Sequence, residues 1–239
     1  MTLTNPCISV IIPTLNEAKG IGALLDRLRE LGSPKTLREI IVVDGESSDT
    51  TAQRARDAGA RVIHSPRGRA IQMNRGAAAA SGTILYFLHA DTLPPAGFDR
   101  SILATVEKGY EAGCFRMQFD SDSGFLKFFS WFTRINHPFC RGGDQSLFVT
   151  AGRFKRSGGF DESYRIYEDN EYTARLYRNT RFAVLPEKVT TSARRYRKKN
   201  MVGLQFHYAI MHLLKGLGAG PQTLHRYYSR YIAIKRGNS

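Results

Sequence analysis

The sequence has few cysteines from which a metal or redox centre could be built. Its three cysteines, Cys7, Cys114 and Cys140, lie far apart and show neither C-x-x-C nor zinc-finger spacing. This spacing argues against a redox-active dithiol and against a structural zinc site. An odd number of distant cysteines fits a reducing compartment, so we expect a cytoplasmic protein.

Long hydrophobic runs are also missing. No stretch approaches the ~18 uncharged apolar residues that a membrane-spanning helix needs. The N-terminus has no basic segment followed by a small-residue cleavage site, which is the pattern of a secretory signal. We therefore expect neither secretion nor membrane spanning, so any membrane contact would be peripheral, at the inner face of the membrane.

Acidic residues are nearly absent from the last quarter of the chain. Residues 181–239 contain 12 Lys and Arg but a single acid, Glu187, whereas residues 1–180 contain 23 basic and 20 acidic residues. Most of the formal net charge of +14 therefore lies at the C-terminal end. A block of one sign is typical of a surface that binds nucleic acid, phosphate or an anionic membrane.

The length and overall composition are those of an ordinary folded protein. The chain has 239 residues, of which 42% are apolar and 23% are charged. These values exclude a disordered chain or a low-complexity polymer. They predict one large domain, or a main domain with a short appendage.

Strand and helix patterns alternate through the first half of the sequence. Apolar, β-branched runs predict buried strands, and apolar residues at helical spacing between them predict amphipathic helices. Continuous apolar strands separated by helices indicate a mostly parallel α/β sheet with helices on both faces. The predicted strands cover residues 7–13, 39–44, 61–64 and 84–89, and the predicted helices 21–31, 50–58 and 70–80.

The second half is less regular. The aromatic stretch 124–137 fits either a helix or a lid over a site, and a short strand at 182–185 should end at Pro186. The remaining predicted elements are helices at 94–108, 170–178, 201–217 and 223–234 and strands at 114–119 and 146–150.

Polar turns follow three of the predicted strands. They contain the segments PTLNE at 13–17, DGESSD at 44–49 and HADT at 89–92. In an open parallel sheet, ligands bind beyond the carboxyl ends of the strands, so these turns should converge on one site. Each turn also has a structural interpretation, because Asn16 and Asp49 suit helix N-caps and Asp44 could cap its own loop.

The order of these segments resembles the family 2 glycosyltransferases of the GT-A fold. The resemblance rests on SVIIPTLNE, IVVDGESSDT, LHADT, GGDQ and YEDNE, which together span about 160 residues. It implies a Rossmann-like sheet in a catalytic domain over 1–195, with a nucleotide-binding half at about 1–92 and an acceptor half at about 93–195. A basic helical extension over 196–239 would follow. The blocks RGRAIQMN and LHADT further resemble a compact bacterial subgroup linked to arsenosugar biosynthesis.

The resemblance implies a UDP-sugar or GDP-sugar donor and a divalent cation, Mn²⁺ or Mg²⁺. Carboxylates and phosphate oxygens are the ligands these cations prefer, and the cation would neutralise the diphosphate leaving group. Asp91 is the expected ligand, but His89 stands where the family has the first acid of its D-x-D motif, so His89 is either a second ligand or a supporting residue. The donor-binding residues implied are Pro13, Thr14, Glu17, Asp44, Arg67, Arg69, Asn74, Ala90, Asp91, Arg194 and Arg195. Arg69 and the arginines at 194–197 could instead lie on solvated surfaces.

The same resemblance implies the catalytic and acceptor residues. The family carries its base in the acidic pair Glu168 and Asp169, and we expect Asp169 to take the proton from the acceptor hydroxyl. Asp144 and Gln145 would lie on the acceptor side. A single displacement would invert the anomeric configuration.

Two other functions are compatible with parts of the sequence. A basic nucleic-acid-binding module would use the C-terminal charge and the nearby Tyr227, Tyr228 and Tyr231, but it leaves Asp91 and Asp169 unexplained. A sugar-phosphate nucleotidyltransferase would need a glycine-rich phosphate loop after the first strand, which is lacking, and no G-x-G-x-x-G is present for a dehydrogenase.

The C-terminal apolar residues allow three arrangements. A helix from about Met201 to Leu217 follows the basic cluster at 194–199 directly, a combination that interfacial helices show. The same residues could instead pack on the catalytic domain or pair with a second copy in a homodimer.

Overall fold

The protein, seen here in a computed structural model, is described over residues 5–197 and 201–233. In this part of the chain, one eight-stranded sheet has the order β3-β2-β1-β4-β7-β6-β8-β5. The strands are β1 Ile8–Thr14, β2 Leu37–Asp44, β3 Arg61–His64, β4 Ile84–Phe87, β5 Thr92–Leu93, β6 Ala112–Phe119, β7 Leu147–Thr150 and β8 Phe182–Thr191.

Helices connect the strands and continue beyond the last one. They are α1 Ile21–Leu31, α2 Thr51–Asp57, α3 Arg69–Ala79, α4 Phe98–Glu107, α5 Gly124–Trp131, α6 Ala151–Ser157, α7 Glu168–Asn179, α8 Arg194–Arg197, α9 Met201–Gly216 and α10 Pro221–Tyr231. Three short 3₁₀ turns, η1 Phe132–Arg134, η2 Pro138–Cys140 and η3 Gly143–Gln145, lie between α5 and β7. The aromatic stretch at 124–137 is thus a helix followed by turns. No helix in the described residues is long and apolar enough to cross a bilayer.

The predicted α/β class is confirmed. β1 pairs in parallel with β2 and β4, and β2 with β3, so the part of the sheet formed by the first four strands is parallel. β7 then enters antiparallel between β4 and β6, which makes the whole sheet mixed. Alternate residues of β1 face opposite cores: Ile8, Val10 and Ile12 pack with α1 and α4, and Ile11 packs with α3.

Two predicted boundaries were wrong for local reasons. β8 does not end at Pro186, because its register with β6 shifts between Phe115 and Arg116 and leaves Pro186 and Glu187 without partners in β6. Proline has no N–H to donate, but at such a bulge the residue makes no inter-strand hydrogen bond, so proline is tolerated there. Helix α4 begins at Phe98 rather than Pro94, because Gly97 has a left-handed φ of 69°.

The C-terminal helices pack on the preceding part of the chain through a third apolar cluster. Leu204 and Met211 of α9 and Leu224 of α10 are buried against Leu126 and Ile166. Packing on the domain, one of the three arrangements considered, therefore accounts for one face of α9. Lys198, Lys199 and residues 234–239 lie outside the described residues.

Candidate active site

The turns after β1 and β2 are bound to each other by hydrogen bonds. The Asn16 N–H donates to Ser47 Oγ (2.9 Å), and Asn16 Oδ1 accepts from the Ser48 N–H (2.8 Å). The Glu17 N–H donates to Thr51 Oγ1 (2.8 Å). Asn16 has a left-handed φ of 58°, which asparagine tolerates better than most residues. The first two strand ends therefore form one fixed edge, on which Thr14 and Asp44 are neighbours in register.

Asp44 has one engaged and one open carboxylate oxygen. The residue is 2% exposed, and Oδ2 accepts from the Ser47 N–H (3.1 Å) and lies 3.7 Å from His64 Nδ1. Among the described residues, Oδ1 has no hydrogen-bond partner. A buried carboxylate oxygen without a donor is costly and marks a place where a ligand N–H would fit.

Gln72 supports this edge and was missed by the sequence analysis. Its Nε2 donates to Thr14 O (2.9 Å) and Val43 O (2.8 Å), so one amide ties the ends of β1 and β2 to α3. The available signal was its position three residues after Arg69, on the same face of α3.

Residues far apart in sequence meet at Asp91. Arg194 Nη2 lies 3.0 Å from Glu17 Oε1 and 3.6 Å from Asp91 Oδ2. The Asp91 carbonyl accepts from the Ser192 N–H (3.2 Å), which fixes α8 beside the turn after β4. Burial, followed by the negative charge of Asp144, raises the pKa of Asp91. The strand expected at 84–89 ends at Phe87, so His89, Ala90 and Asp91 all belong to this turn.

His89 lies between two carboxylates. Its Nδ1 is 3.4 Å from Asp144 Oδ1, and its Nε2 is 3.6 Å from Asp169 Oδ2. Burial acts to lower the pKa of His89, but the two carboxylates outweigh burial and raise the pKa to about 10. This surrounding suits a protonated imidazole that donates to both acids.

The acidic pair opens helix α7, and its two members differ. Glu168 is completely buried, and its Oε1 lies 2.7 Å from Arg69 Nε, although no described group hydrogen-bonds either carboxylate oxygen with good geometry. Asp169 lines a cavity and lies 4.0 Å from Arg69 Nη1. Burial raises the pKa of Glu168, and the charge of Glu168 in turn raises that of Arg69. Burial also acts to raise the pKa of Asp169, but the nearby His89 and Arg69 together outweigh burial and lower the pKa.

The cavity beside Asp169 has a volume of about 480 Å³. It lies between the 3₁₀ turns, the start of α7 and the helices α9 and α10, and it is walled largely by aromatic side chains. Tyr167, which precedes the acidic pair, has a left-handed φ of 72°, and its hydroxyl lies 2.6 Å from His212 Nδ1 in α9. Strain of this kind is tolerated where neighbouring contacts fix the backbone. The wall residues are Met117, Phe119, Phe129, Phe132, Phe139, Ile166, Tyr167, Tyr196, Tyr208, Met211, His212 and Tyr228, among others.

Asp144 and Gln145 both line this cavity, but only Asp144 is open to it. Gln145 is buried, donates to Cys140 O (2.9 Å) and accepts from Arg141 Nη1 (2.9 Å). Arg141, also buried, donates to Thr133 O (2.7 Å) and so holds the 3₁₀ turns that form the wall. Arg141 was not among the residues predicted from the sequence.

Three further expected donor residues are held by contacts with the surrounding protein. Arg67 is on the surface, where Nη2 donates to Glu46 O (3.2 Å). The Asn74 amide is fully engaged, donating to Phe160 O and Glu162 Oε1 (both 2.9 Å) and accepting from the Phe160 N–H. Pro13 is buried within β1 opposite Val43. The side chain of Arg195 lies outside the described part.

The described residues contain no group of three or more His, Cys, Asp or Glu side chains arranged around a metal position. The donor set nevertheless suits a magnesium-like or manganese-like ion, which is commonly held by one or two carboxylates together with substrate phosphates. Asp91 is a partly exposed carboxylate whose raised pKa reflects burial and the nearby charge of Asp144, both of which a cation would offset.

The chain is similar in sequence to known proteins. The chain is 28% identical to the succinoglycan biosynthesis protein ExoA of Rhizobium meliloti over 197 residues, which are 73% of this chain and 59% of ExoA. The chain spans less than two thirds of the length of the curated relatives it matches.

Solved structures share the fold. The mannosyltransferase PcManGT of Pyrobaculum calidifontis, in complex with GDP-Man and Mn²⁺, aligns with a TM-score of 0.65 at 22% identity, over 94% of this chain and 70% of that one. TarS of S. aureus (residues 1–349), in complex with UDP, aligns with a TM-score of 0.65 at 22% identity, over 78% of this chain and 60% of that one.

The mixed α/β sheet with carboxylates at the ends of its parallel strands defines a GT-A-like fold. The family model described as "Glycosyl transferase family 2" matches residues 9–212. The chain belongs to this family, and the family resemblance seen in the sequence is confirmed.

Proposed function

We propose that this protein is an inverting, metal-assisted glycosyltransferase that moves a sugar from UDP or GDP to an acceptor hydroxyl. The observation that carries the proposal is the position of Asp169. Asp169 lines a cavity of about 480 Å³, and its Oδ2 lies 3.6 Å from Nε2 of His89, which belongs to the same turn as Asp91. The matched structures named above contain UDP in one case and GDP-Man with Mn²⁺ in the other, which supports the choice of donor and cation.

In this proposal the nucleotide lies along the ends of β1, β2 and β4. The open Oδ1 of Asp44 accepts the imino proton of the base, while Thr14 and Glu17 form the adjoining wall. Asp91 would hold Mn²⁺ or Mg²⁺, and the cation would neutralise charge on the diphosphate. Arg194, already within ion-pair distance of Asp91, supplies a guanidinium to the same phosphates.

Asp169 is the proposed general base. It accepts the proton of the acceptor hydroxyl as that oxygen attacks the anomeric carbon, and the bond from that carbon to the diphosphate oxygen breaks. Its lowered pKa keeps it ionised at neutral pH. Glu168 is buried and cannot reach the substrate, so we assign it the positioning of Arg69.

Three further expected site residues already contact other side chains or the backbone, and these contacts indicate their roles. His89, with both ring nitrogens facing carboxylates, positions Asp169 in this proposal and leaves the metal to Asp91. Asn74 and Gln145 hold the surrounding structure. Membership of the arsenosugar-linked subgroup rests on the sequence blocks at 67–74 and 88–92 alone, and we extend the proposal to it only on that basis.

Calorimetry with UDP and GDP tests the donor and metal assignments together. At least one of the two nucleotides should bind about 10-fold or more tightly with Mn²⁺ or Mg²⁺ than with chelator, since metal contacts of this kind contribute several kcal/mol. Asp91→Ala should remove the metal dependence, whereas Glu46→Gln, at an exposed position near the nucleoside edge, should not. If neither nucleotide binds, or if chelator and Asp91→Ala have no effect, the donor and metal assignments are wrong.

A further inference from the structure

One side of helix α9 is exposed and apolar. Phe206 and Leu213 are each 62% exposed, and Leu217, which directly follows the helix, is 77% exposed. With 100° per residue, these residues and Ala209 fall within about 80° of the helix circumference. We call Phe206, Ala209, Leu213 and Leu217 the outer face of α9.

The opposite side of α9 is apolar as well. Leu204 and Met211 are buried in the cluster that joins the C-terminal helices to the catalytic domain. A helix that is apolar on both sides is normally covered on both. Because packing within the described chain covers only one side, the outer face is a surface for a partner.

The charge of the C-terminal segment favours one kind of partner. Residues 194–239 contain ten Lys and Arg and no acid. Arg226 and Arg230 lie one turn apart on α10, which packs beside α9, and both are exposed. Two copies meeting through the outer faces would bring two such segments together with no acid to offset them. An anionic lipid surface offers both an apolar layer and the complementary charge.

The outer face is continuous with the wall of the cavity. Ala209 is exposed and also lines the cavity. Across the opening, Phe139 lines the cavity and is 67% exposed, with its ring centre 6.1 Å from that of His212 in α9. Ala209 and Phe139 are therefore apolar residues that are exposed on the surface and also line the cavity beside Asp169.

We propose that the acceptor is an amphiphile taken from an anionic membrane surface. Its hydroxyl reaches Asp169, its apolar chain lies against the aromatic wall at Phe132 and Phe139, and the outer face of α9 rests in the lipid. This inference rests on the proposed function, because Asp169 is the base only if the protein is a glycosyltransferase.

Trp131, the single tryptophan of the chain, provides the readout for membrane binding. It is half-exposed on α5, and its ring packs on Phe132 of the cavity wall. The full chain should sediment with phosphatidylcholine vesicles that contain phosphatidylglycerol, and its fluorescence should shift to the blue. Neither change should occur with phosphatidylcholine alone, and high salt should reverse both.

Two pairs of variants separate the apolar and charged contributions. Phe206→Gln with Leu213→Gln should weaken vesicle binding by about 10-fold or more. Arg226→Glu with Arg230→Glu should weaken it by at least about 30-fold, at about 1 kcal/mol for each cation removed. Lys35→Glu with Lys108→Glu changes the net charge equally, at exposed positions outside the C-terminal helices, and should change binding by less than about 3-fold.

The acyl-chain length of added monoacylglycerols tests whether the acceptor is an amphiphile. Monoacylglycerols should quench or shift Trp131 fluorescence with an affinity that rises with acyl length, whereas glycerol should have no effect. Ala209→Glu places a charge in the opening and should weaken monoacylglycerol binding by about 10-fold or more, with nucleotide affinity unchanged.

The outcomes distinguish this inference from the proposed function. Absence of vesicle binding at low salt overturns the membrane surface, as does a concentration-dependent dimer that Leu213→Gln disperses, because the outer face would then bind a second copy. Binding of monoacylglycerol that does not depend on acyl length overturns the amphiphilic acceptor. Each of these three results is compatible with normal metal-dependent nucleotide binding. Loss of nucleotide binding alone would overturn the proposed function and leave the lipid surface in place.

Discussion

Glu168 and Asp169 are neighbours in sequence but have opposite surroundings. Glu168 is buried and contacts Arg69, whereas Asp169 lines the cavity and lies close to His89. The first turn of α7 rotates successive side chains by about 100°, so one residue can point into the core while the next points to substrate. The chemistry of the pair therefore depends on direction rather than on residue type.

Replacing Asp169 by Asn should separate catalysis from binding. We expect Asp169→Asn to keep nucleotide affinity while turnover falls by about 10²-fold or more, since the base acts on the acceptor proton. Asp144→Asn, a matched change in the same cavity, should lower turnover by less than about 10-fold. Steady-state kinetics with calorimetry would check both. Near-normal turnover of Asp169→Asn would remove the base assignment.

A second substitution addresses the open oxygen of Asp44. Asp44→Asn should weaken UDP or GDP binding by about 10- to 100-fold, because a hydrogen bond to a charged acceptor is worth about 1.5–3 kcal/mol. Pyrophosphate with Mn²⁺, which has no base, should bind the variant and the parent alike. Equal losses for both ligands would mean that Asp44 fixes the loop rather than reading the base.

Helix α3 lies unusually close to the sheet at Gly76. A Cβ built there would approach Ile11 Cγ2 to 2.4 Å and Val43 Cγ2 to 3.0 Å. This close approach places Arg69 and Gln72, on the same helix, over the ends of β1 and β2. The helix has little room to shift, because Ile11 and Val43 belong to two paired strands of the core.

Gly76→Ala should therefore destabilise the protein, although replacing glycine by alanine inside a helix usually stabilises it. We expect it to lower the free energy of unfolding by about 1–3 kcal/mol through overpacking. Gly22→Ala in α1 meets nothing within 4 Å and should raise stability by up to about 1 kcal/mol. Urea denaturation of both variants would check the pair. Equal effects would mean that α3 is free to move outward.

The regular elements could be predicted from the sequence because their signals are local. The first four strands read as apolar runs, and Gly32 ends α1 as expected. Helix α6 was missed although Thr150 caps it and Gly158 ends it with a left-handed φ, because Phe154 is its only large apolar residue and the helix therefore shows no apolar repeat. The pairing of Arg69 with Glu168 could not be predicted, since it joins residues that only the folded sheet brings together.

The charge of the whole molecule is concentrated where the chain ends. Such a field attracts polyanions regardless of their sequence, which is the feature that the nucleic-acid-binding alternative would exploit. The described site, however, is built around carboxylates, which repel phosphate unless a cation intervenes. Polyanion binding and nucleotide binding should therefore use different surfaces.

Duplex DNA should bind weakly, with a Kd of about 10⁻⁴–10⁻⁶ M that rises steeply with salt and does not depend on base sequence. Arg226→Glu with Arg230→Glu should weaken this binding, while Asp91→Ala and added UDP with Mn²⁺ should not. Fluorescence anisotropy at several salt concentrations would check this. Tight binding of a particular sequence would favour the nucleic-acid-binding function instead.

The contact of Arg194 with Glu17 also affects the order in which the protein can fold. The parallel half of the sheet joins strands that follow closely in the chain, but this contact spans 177 residues, and β5 pairs with β8 across almost a hundred. Contacts of such long range form slowly, because the intervening chain must first be ordered. During synthesis the proposed nucleotide site thus stays incomplete until residue 194 has left the ribosome. Recovery of nucleotide binding should accordingly lag behind recovery of helix content in a refolding experiment.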